Sequence, residues 1–320
     1  MSSIRKLERD YAKANRAAVV GLLDRLTEAD ALTRLGLESK LAELNEEILA
    51  QDLEPEITHA SAALFFGGRP VIGTQGIEAQ FGTGAVAAFQ DLVSKVLAKN
   101  TSGLGAKGPI ANKSAATMHI TNIVRGSFGF LLEEVQDQAQ LIDTSLKEAV
   151  EEASELLDIF GEADEERFQA TVVEVDQRIL ATAREFFELM RQHGATLRMV
   201  AGESEFQFGY EAVARGFERA SGTLIEEDKK SIEGQLAGVL PGAHQFEFRS
   251  RGGDTLKGKV DPAWSAADLE RWNRELVGVD TTVDMAVKRV LRHGQIAREN
   301  YVLRGIAPKT DHAAASHDQA

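Results

Sequence analysis

Cysteine is absent from the 320 residues. That absence excludes disulfides, thiolate nucleophiles and cysteine-ligated zinc or iron–sulfur centres in one step. Histidine is scarce. The seven histidines, His59, His119, His193, His244, His293, His312 and His317, never fall in the H-x-x-x-H or H-x-H spacing that puts two imidazoles on one metal. Neither G-x-x-x-x-G-K-[ST] nor G-x-S-x-G occurs, so the signatures of P-loop nucleotide hydrolysis and of a serine nucleophile elbow are both missing. No stretch of about 18 apolar residues is present, and no membrane span is expected. The opening MSSIRKLERDYAKANR is polar where a signal peptide needs an apolar run, and the expected location is cytoplasmic. No cofactor, metal or catalytic constellation is expected, and the chain reads as leaning non-enzymatic.

Positive charge is also in short supply. The formal net charge is −14, which repels phosphate and argues against the whole chain coating a nucleic acid. The distribution is uneven, however. Residues 229 to 306 hold thirteen Lys and Arg against ten Asp and Glu, a net of +3, so the remainder carries −17. A polyanion would meet a favourable field only in that segment.

What that segment does contain is an ordered set of strand-like runs. Residues 231 to 240 form the first, with Gly234 and Gly238 marking bends or bulges and Leu240-Pro241-Gly242 breaking it. In the second, Phe246 and Phe248 alternate with Gln245, Glu247 and Arg249, a period of two that buries one face and wets the other. Residues 250 to 254, Ser-Arg-Gly-Gly-Asp, supply a hairpin turn. The third run puts Leu256, Gly258 and Val260 on one face and Thr255, Lys257 and Lys259 on the other. Asp261-Pro262 ends it, and Ser265 with Asp268 has the form of a capping box for a helix over 266 to 276. Val283, Met285 and Val287 give a fourth strand its inner face; Tyr301 and Leu303 give a fifth.

Three strands, a helix and two strands is an order that resembles the OB-fold class. The resemblance covers about a quarter of the chain and implies a five-stranded barrel. Its members bind oligonucleotides or oligosaccharides on the face of strands 2 and 3 and on adjoining loops.

The rest of the chain reads as helical with one small mixed unit, so the fold class is α+β. Residues 1 to 56 are expected to hold two helices. In the first, Ile4, Leu7, Tyr11 and Ala14 recur at helical steps, and the second begins at a capping box of Thr27 and Asp30. Within the second, Leu37, Leu41, Leu44 and Ile48 step by 4, 3 and 4, the spacing of a coiled-coil seam. Such a seam serves either a hairpin within one chain or self-association. Residues 57 to 135 read as a ββαββ unit, with strands about Gly67-Gly68-Arg69-Pro70 and about Arg125-Gly126 flanking a helix over 85 to 99. Residues 136 to 225 read as an acidic helical segment broken near Gly161, with Leu146, Val150, Ala153 and Leu157 inward on the first helix. Phe168, Val172, Val175, Ile179, Phe186 and Met190 are inward on the second. The barrel spans 226 to 307, and 308 to 320 is expected to be a disordered tail.

Gly82-Thr83-Gly84-Ala85-Val86-Ala87 fits G-x-G-x-x-[G/A]. It lacks the acidic residue about 20 positions on that would hold a ribose, and reads as a glycine-rich helix start. His119, Arg125 and Glu133 are the residues from which a site distant in sequence would be assembled. The leading expectation is a non-enzymatic interaction protein whose OB-like barrel meets a protein partner, with homo-oligomerisation through Leu37, Leu41, Leu44 and Ile48. The alternative is sequence-tolerant DNA or RNA binding through the barrel's basic residues Arg249, Arg251, Lys257, Lys259, Lys288 and Arg292.

Overall fold

The computed structural model describes residues 3–26, 30–53, 58–105, 107–124, 128–135 and 142–309. Thr27, Arg125, Gly126, His312, His317 and the expected tail from 310 onward lie outside them. The chain divides into two units: Met1–Phe168 with Arg178–Ser221, and Gln169–Gln177 with Gly222–Ala320. Among the described residues no helix is long and apolar enough to cross a membrane.

In chain order the elements up to the second unit are α1 (Ser3–Leu23), α2 (Ala31–Leu53), β1 (Ser61–Gly68), β2 (Val71–Ile72), β3 (Gly76–Ile77), α3 (Ala79–Thr101), β4 (His119–Val124), β5 (Phe128–Glu133), α4 (Ser145–Gly161), α5 (Glu165–Val172), α6 (Gln177–His193), β6 (Ala195–Ala201), β7 (Ser204–Phe208) and α7 (Tyr210–Gly222). The first unit is built on an antiparallel sheet in the order β4-β5-β1-β6-β7. Residues 57 to 135 therefore do not close a sheet by themselves. β1 pairs with β5 from Ser61 to Phe66 and with β6 from Ala62 to Gly68, and its run from Ser61 to Phe66, buried on both faces, has a neighbour on each side. On one face Ala63, Phe65, Leu131 and Val200 pack together with Leu7 of α1. On the other, Phe66 meets Phe81 of α3 edge to face at 5.3 Å.

α3 begins at Ala79, six residues before the expected start, so Gly82 and Gly84 sit inside the helix and not in a loop ahead of it. Their role is close packing: a Cβ on Gly82 would meet Ile77 and Phe130, and one on Gly84 would meet Leu189. The expected inward residues of the acidic segment are all buried, although they are carried by α4, α5 and α6 and the stretch between α5 and α6. α1 departs from expectation. Tyr11 and Ala14 are exposed and Ala12 is buried in their place, because the helix divides its contacts between the sheet and α2.

Where α4 ends, its last carbonyls need donors. Arg219 of α7 supplies them. This arginine is 5 % exposed, and its Nη1 donates to the carbonyls of Ile159, Phe160 and Glu162. Its Nη2 donates to Asp164 O and pairs with Glu165 Oε2 at 2.9 Å, and the guanidinium lies over the Phe168 ring.

The second unit carries β8 (Thr223–Leu240), β9 (Gln245–Ser250), β10 (Thr255–Val260), α8 (Ala266–Glu275), β11 (Asp280–Arg292) and β12 (Gln295–Pro308). The strands close in the ring β10-β12-β11-β8-β9, with β10 and β12 parallel and every other pair antiparallel. With α8 between the third and fourth strands, this is the OB order. β8 begins at Thr223, eight residues before the expected 231, because the whole of β11 from Asp280 to Arg292 finds a register partner on it. The β10–β12 seam depends on a close approach that only glycine allows: a Cβ at Gly258 would collide with Tyr301 O. Ser265 and Asp268 form the expected capping box, and α8 sends Leu269 and Trp272 into the core beside Leu236, Val239, Phe246, Phe248, Val283, Met285, Val287 and Leu303.

Candidate functional site

The candidate site is the outer face of β8, β9 and β10. Phe246 is 4 % exposed and Phe248 0 %, so both rings fill the barrel, and strand alternation turns Gln245, Glu247 and Arg249 outward. Register then fixes rows across the three strands. Leu240, Gln245 and Lys259 form one row; Gly238, Glu247 and Lys257 form the next; Gln235, Arg249 and Thr255 form a third. A groove of about 710 Å³ runs over the first two rows.

The groove exists because Gly238 has no side chain on the outer surface. A Cβ there would meet nothing within 4 Å, so the position opens outward rather than into the barrel. A bulge between Leu236 and Gly238, opposite Phe248 and Glu247, lets the strand keep both its inward leucine and its outward glycine. Leu240 stands exposed on one side of the dip. On the other side, Lys257 Nζ lies 3.2 Å from Glu247 Oε2, and Lys259 Nζ lies 3.5 Å from Glu174 Oε1. All four charged groups are solvent-exposed. Pairs of this kind are worth about 0–1 kcal/mol, so an incoming carboxylate or phosphate can replace either acid at little cost.

The six basic residues expected from sequence are not brought together. Lys257 and Lys259 line the groove, and Arg249 continues the β9 row beyond it. Arg251 sits after β9 and is held by Glu233 at 2.8 Å. Lys288 and Arg292 lie on β11, opposite Glu227 and Thr223 of β8, and are half-buried there. The sequence reading missed Gly238 and Leu240 as groove residues and Glu174 as the partner of Lys259. The glycine was legible as a bend, but which face it opened depended on the β8–β9 register.

Beyond the groove, Arg289 Nε lies 2.5 Å from Glu299 Oε1, and Tyr301 donates to the same carboxylate at 2.8 Å. The Arg289 hydrogen bond, followed by that of Tyr301, holds the Glu299 carboxyl below its usual range. This cluster braces β11 against β12.

In the first unit the expected seam residues lie on α2, which packs along α1. Leu44 is buried, Leu37, Leu41 and Ile48 are half-buried, and Arg16 of α1 donates to Asn45 of α2 at 2.7 Å. His119 is exposed on the edge strand β4 opposite Glu133, whose carboxylate accepts from Thr121; Arg125 lies outside the described residues. Among the described residues no group of three His, Asp or Glu is placed to hold a metal ion.

No protein-family model, curated protein or solved structure matches this chain.

Proposed function

We propose that the chain is a non-catalytic, cytosolic interaction protein whose OB-like barrel binds a protein partner across the outer face of β8, β9 and β10. One observation carries the reading: the binding face has a groove and charged walls but no ring turned outward. Single-strand binders of this barrel type stack bases on exposed aromatics, each worth about 1–3 kcal/mol. Here Phe246 and Phe248 fill the core, and the large aromatics that are exposed, Tyr11 and Tyr210, belong to the other unit. Alternating acids and bases beside an exposed leucine match the mixed surface of a polypeptide better than a uniform run of phosphates, which offers Leu240 nothing apolar.

The test compares binding partners directly. Full-length protein is titrated into labelled extended peptides and into a labelled single-stranded oligonucleotide at low and high salt. Peptide binding that is lost when Leu240 is changed to Asp supports the reading. Oligonucleotide binding with a steep salt dependence, and none to peptides, would replace it with the nucleic-acid alternative.

Self-association through the helical hairpin is a second reading, favoured by Leu32, Leu35 and Leu49 of α2, which are 88 %, 65 % and 60 % exposed. They lie outside the seam formed by Leu37, Leu41, Leu44 and Ile48. Light scattering after size exclusion tests it: an oligomer that Leu32→Glu with Leu35→Glu converts to monomer supports the reading, and a monomeric parent protein removes it.

A further inference from the structure

We infer that the groove over Gly238 takes an extended acidic segment in which two carboxylates flank one apolar residue. The inference rests on the protein-binding reading and specifies the partner's chemistry.

Lys257 and Lys259 are two residues apart on one strand and both point outward, so their stems leave the barrel about 6.6–6.8 Å apart. An extended polypeptide repeats its own side chains at the same interval on each side. A chain laid along β9 therefore presents residues i and i+2 to Lys257 and Lys259 in register, with no bend in either backbone. Acidic side chains at those positions take the places that Glu247 and Glu174 hold in the free protein; the displaced acids turn into solvent, each losing only a weak exposed pair, while the new pairs lie beneath the bound chain and are screened less.

The intervening residue faces the other way, toward β8. There the surface consists of the dip at Gly238 and the exposed side chain of Leu240, and it carries no charge in either groove row. A valine-sized side chain buries apolar surface against Leu240 and fills the space left by the missing Cβ. A sugar–phosphate backbone matches the lysine spacing equally well. It has nothing to place against Leu240, however, and no ring on this face stacks its bases.

The probe is a fluorescein-labelled Glu-Val-Glu sequence in a Gly/Ser frame, with Gln-Val-Gln and Glu-Glu-Val versions and a thymidine oligonucleotide of about a dozen bases as comparisons. Anisotropy with the full chain is expected to show Glu-Val-Glu bound about two- to fivefold more tightly than Gln-Val-Gln or Glu-Glu-Val. Gly238→Leu, which fills the dip, and Lys257→Glu with Lys259→Glu are each expected to weaken it by about tenfold or more. Circular dichroism checks that Gly238→Leu is folded; if it is not, Leu240→Asp tests the same wall from the opposite side of the dip. Equal binding of Glu-Val-Glu and Gln-Val-Gln, with both still blocked by the groove variant, would overturn the acidic chemistry and leave the protein-binding reading standing. Binding of the oligonucleotide alone would overturn both. No binding of any probe, or peptide binding indifferent to Gly238→Leu and Leu240→Asp, overturns the inference.

Discussion

Lys257 and Glu247 face each other across the β9–β10 pair with their charged atoms 3.2 Å apart, directly beside the dip at Gly238. In the free protein Glu247 occupies a place that the proposed ligand's carboxylate would take. Glu247→Gln removes this competitor without changing the shape of the groove. It is expected to tighten Glu-Val-Glu binding by about two- to fivefold at low salt, with the gain shrinking as salt is raised. Isothermal titration at two ionic strengths reads the effect, and unchanged or weaker binding would contradict it.

Gly258 and Gly238 lie on opposite faces of the same barrel wall and are expected to respond differently to a methyl group. At Gly258 the added Cβ falls 2.0 Å from Tyr301 O, on the only parallel pairing in the ring. Gly258→Ala is expected to cost about 1–3 kcal/mol by forcing β10 and β12 apart. At Gly238 the space is open, and Gly238→Ala is expected to stay within about 0.5 kcal/mol of the parent. Urea denaturation of the two variants measures the contrast, and comparable losses would show that Gly238 is as structurally constrained as Gly258.

Arg219 is the donor that finishes α4 and holds the turn into α5. Arg219→Met keeps much of the stem but strips four backbone carbonyls and Glu165 of their charged partner. The expected loss is about 2–4 kcal/mol and comes from the backbone carbonyls left without a donor, because Glu165 is itself exposed. Arg219→Lys should recover only part of it, because one ammonium cannot reach the positions spanned by a planar fork. Thermal unfolding of both variants checks the order, and a stable methionine variant would contradict it.

Asp158 lies in the last turn of α4. Burial, then repulsion by Glu162, pushes its carboxyl above the usual range, and Glu155 adds to the repulsion. Raising a carboxyl's pKa in the folded state means that ionisation costs stability. That cost is present above the raised pKa and disappears once pH falls below the ordinary carboxylate value. Asp158→Asn is therefore expected to be more stable than the parent at pH 7, by about 0.2–0.5 kcal/mol for each like-charge pair relieved. The two proteins should converge near about pH 3. A variant less stable at neutral pH would show that the contact with Arg167 at 3.9 Å outweighs the repulsion.

These outcomes mark what the sequence could and could not reveal. The barrel was legible because alternation in 245–249 and 255–260 assigns each side chain a face, and the Ser265–Asp268 box and Val283, Met285 and Val287 fall where their local chemistry puts them. The sheet of the first unit was only half legible. β6 pairs with β1 across more than a hundred intervening residues of helix, strand and loop, and nothing local to 195–201 encodes that partner. Tyr11 was misassigned for a related reason: α1 is flanked by both the sheet and α2, so helical period alone could not choose its buried stripe. The groove needed register. Gly238, Glu247 and Lys257 belong to three strands, and only pairing lines them up.

The most direct test of the barrel face is amide chemical-shift mapping of the full chain during titration with the Glu-Val-Glu peptide. The account predicts saturable shifts concentrated on Gly238, Leu240, Glu247, Lys257 and Lys259, with none of comparable size on α2 or β4. Shifts that cluster away from these residues, or that arise on this face only when oligonucleotide is added, would contradict it.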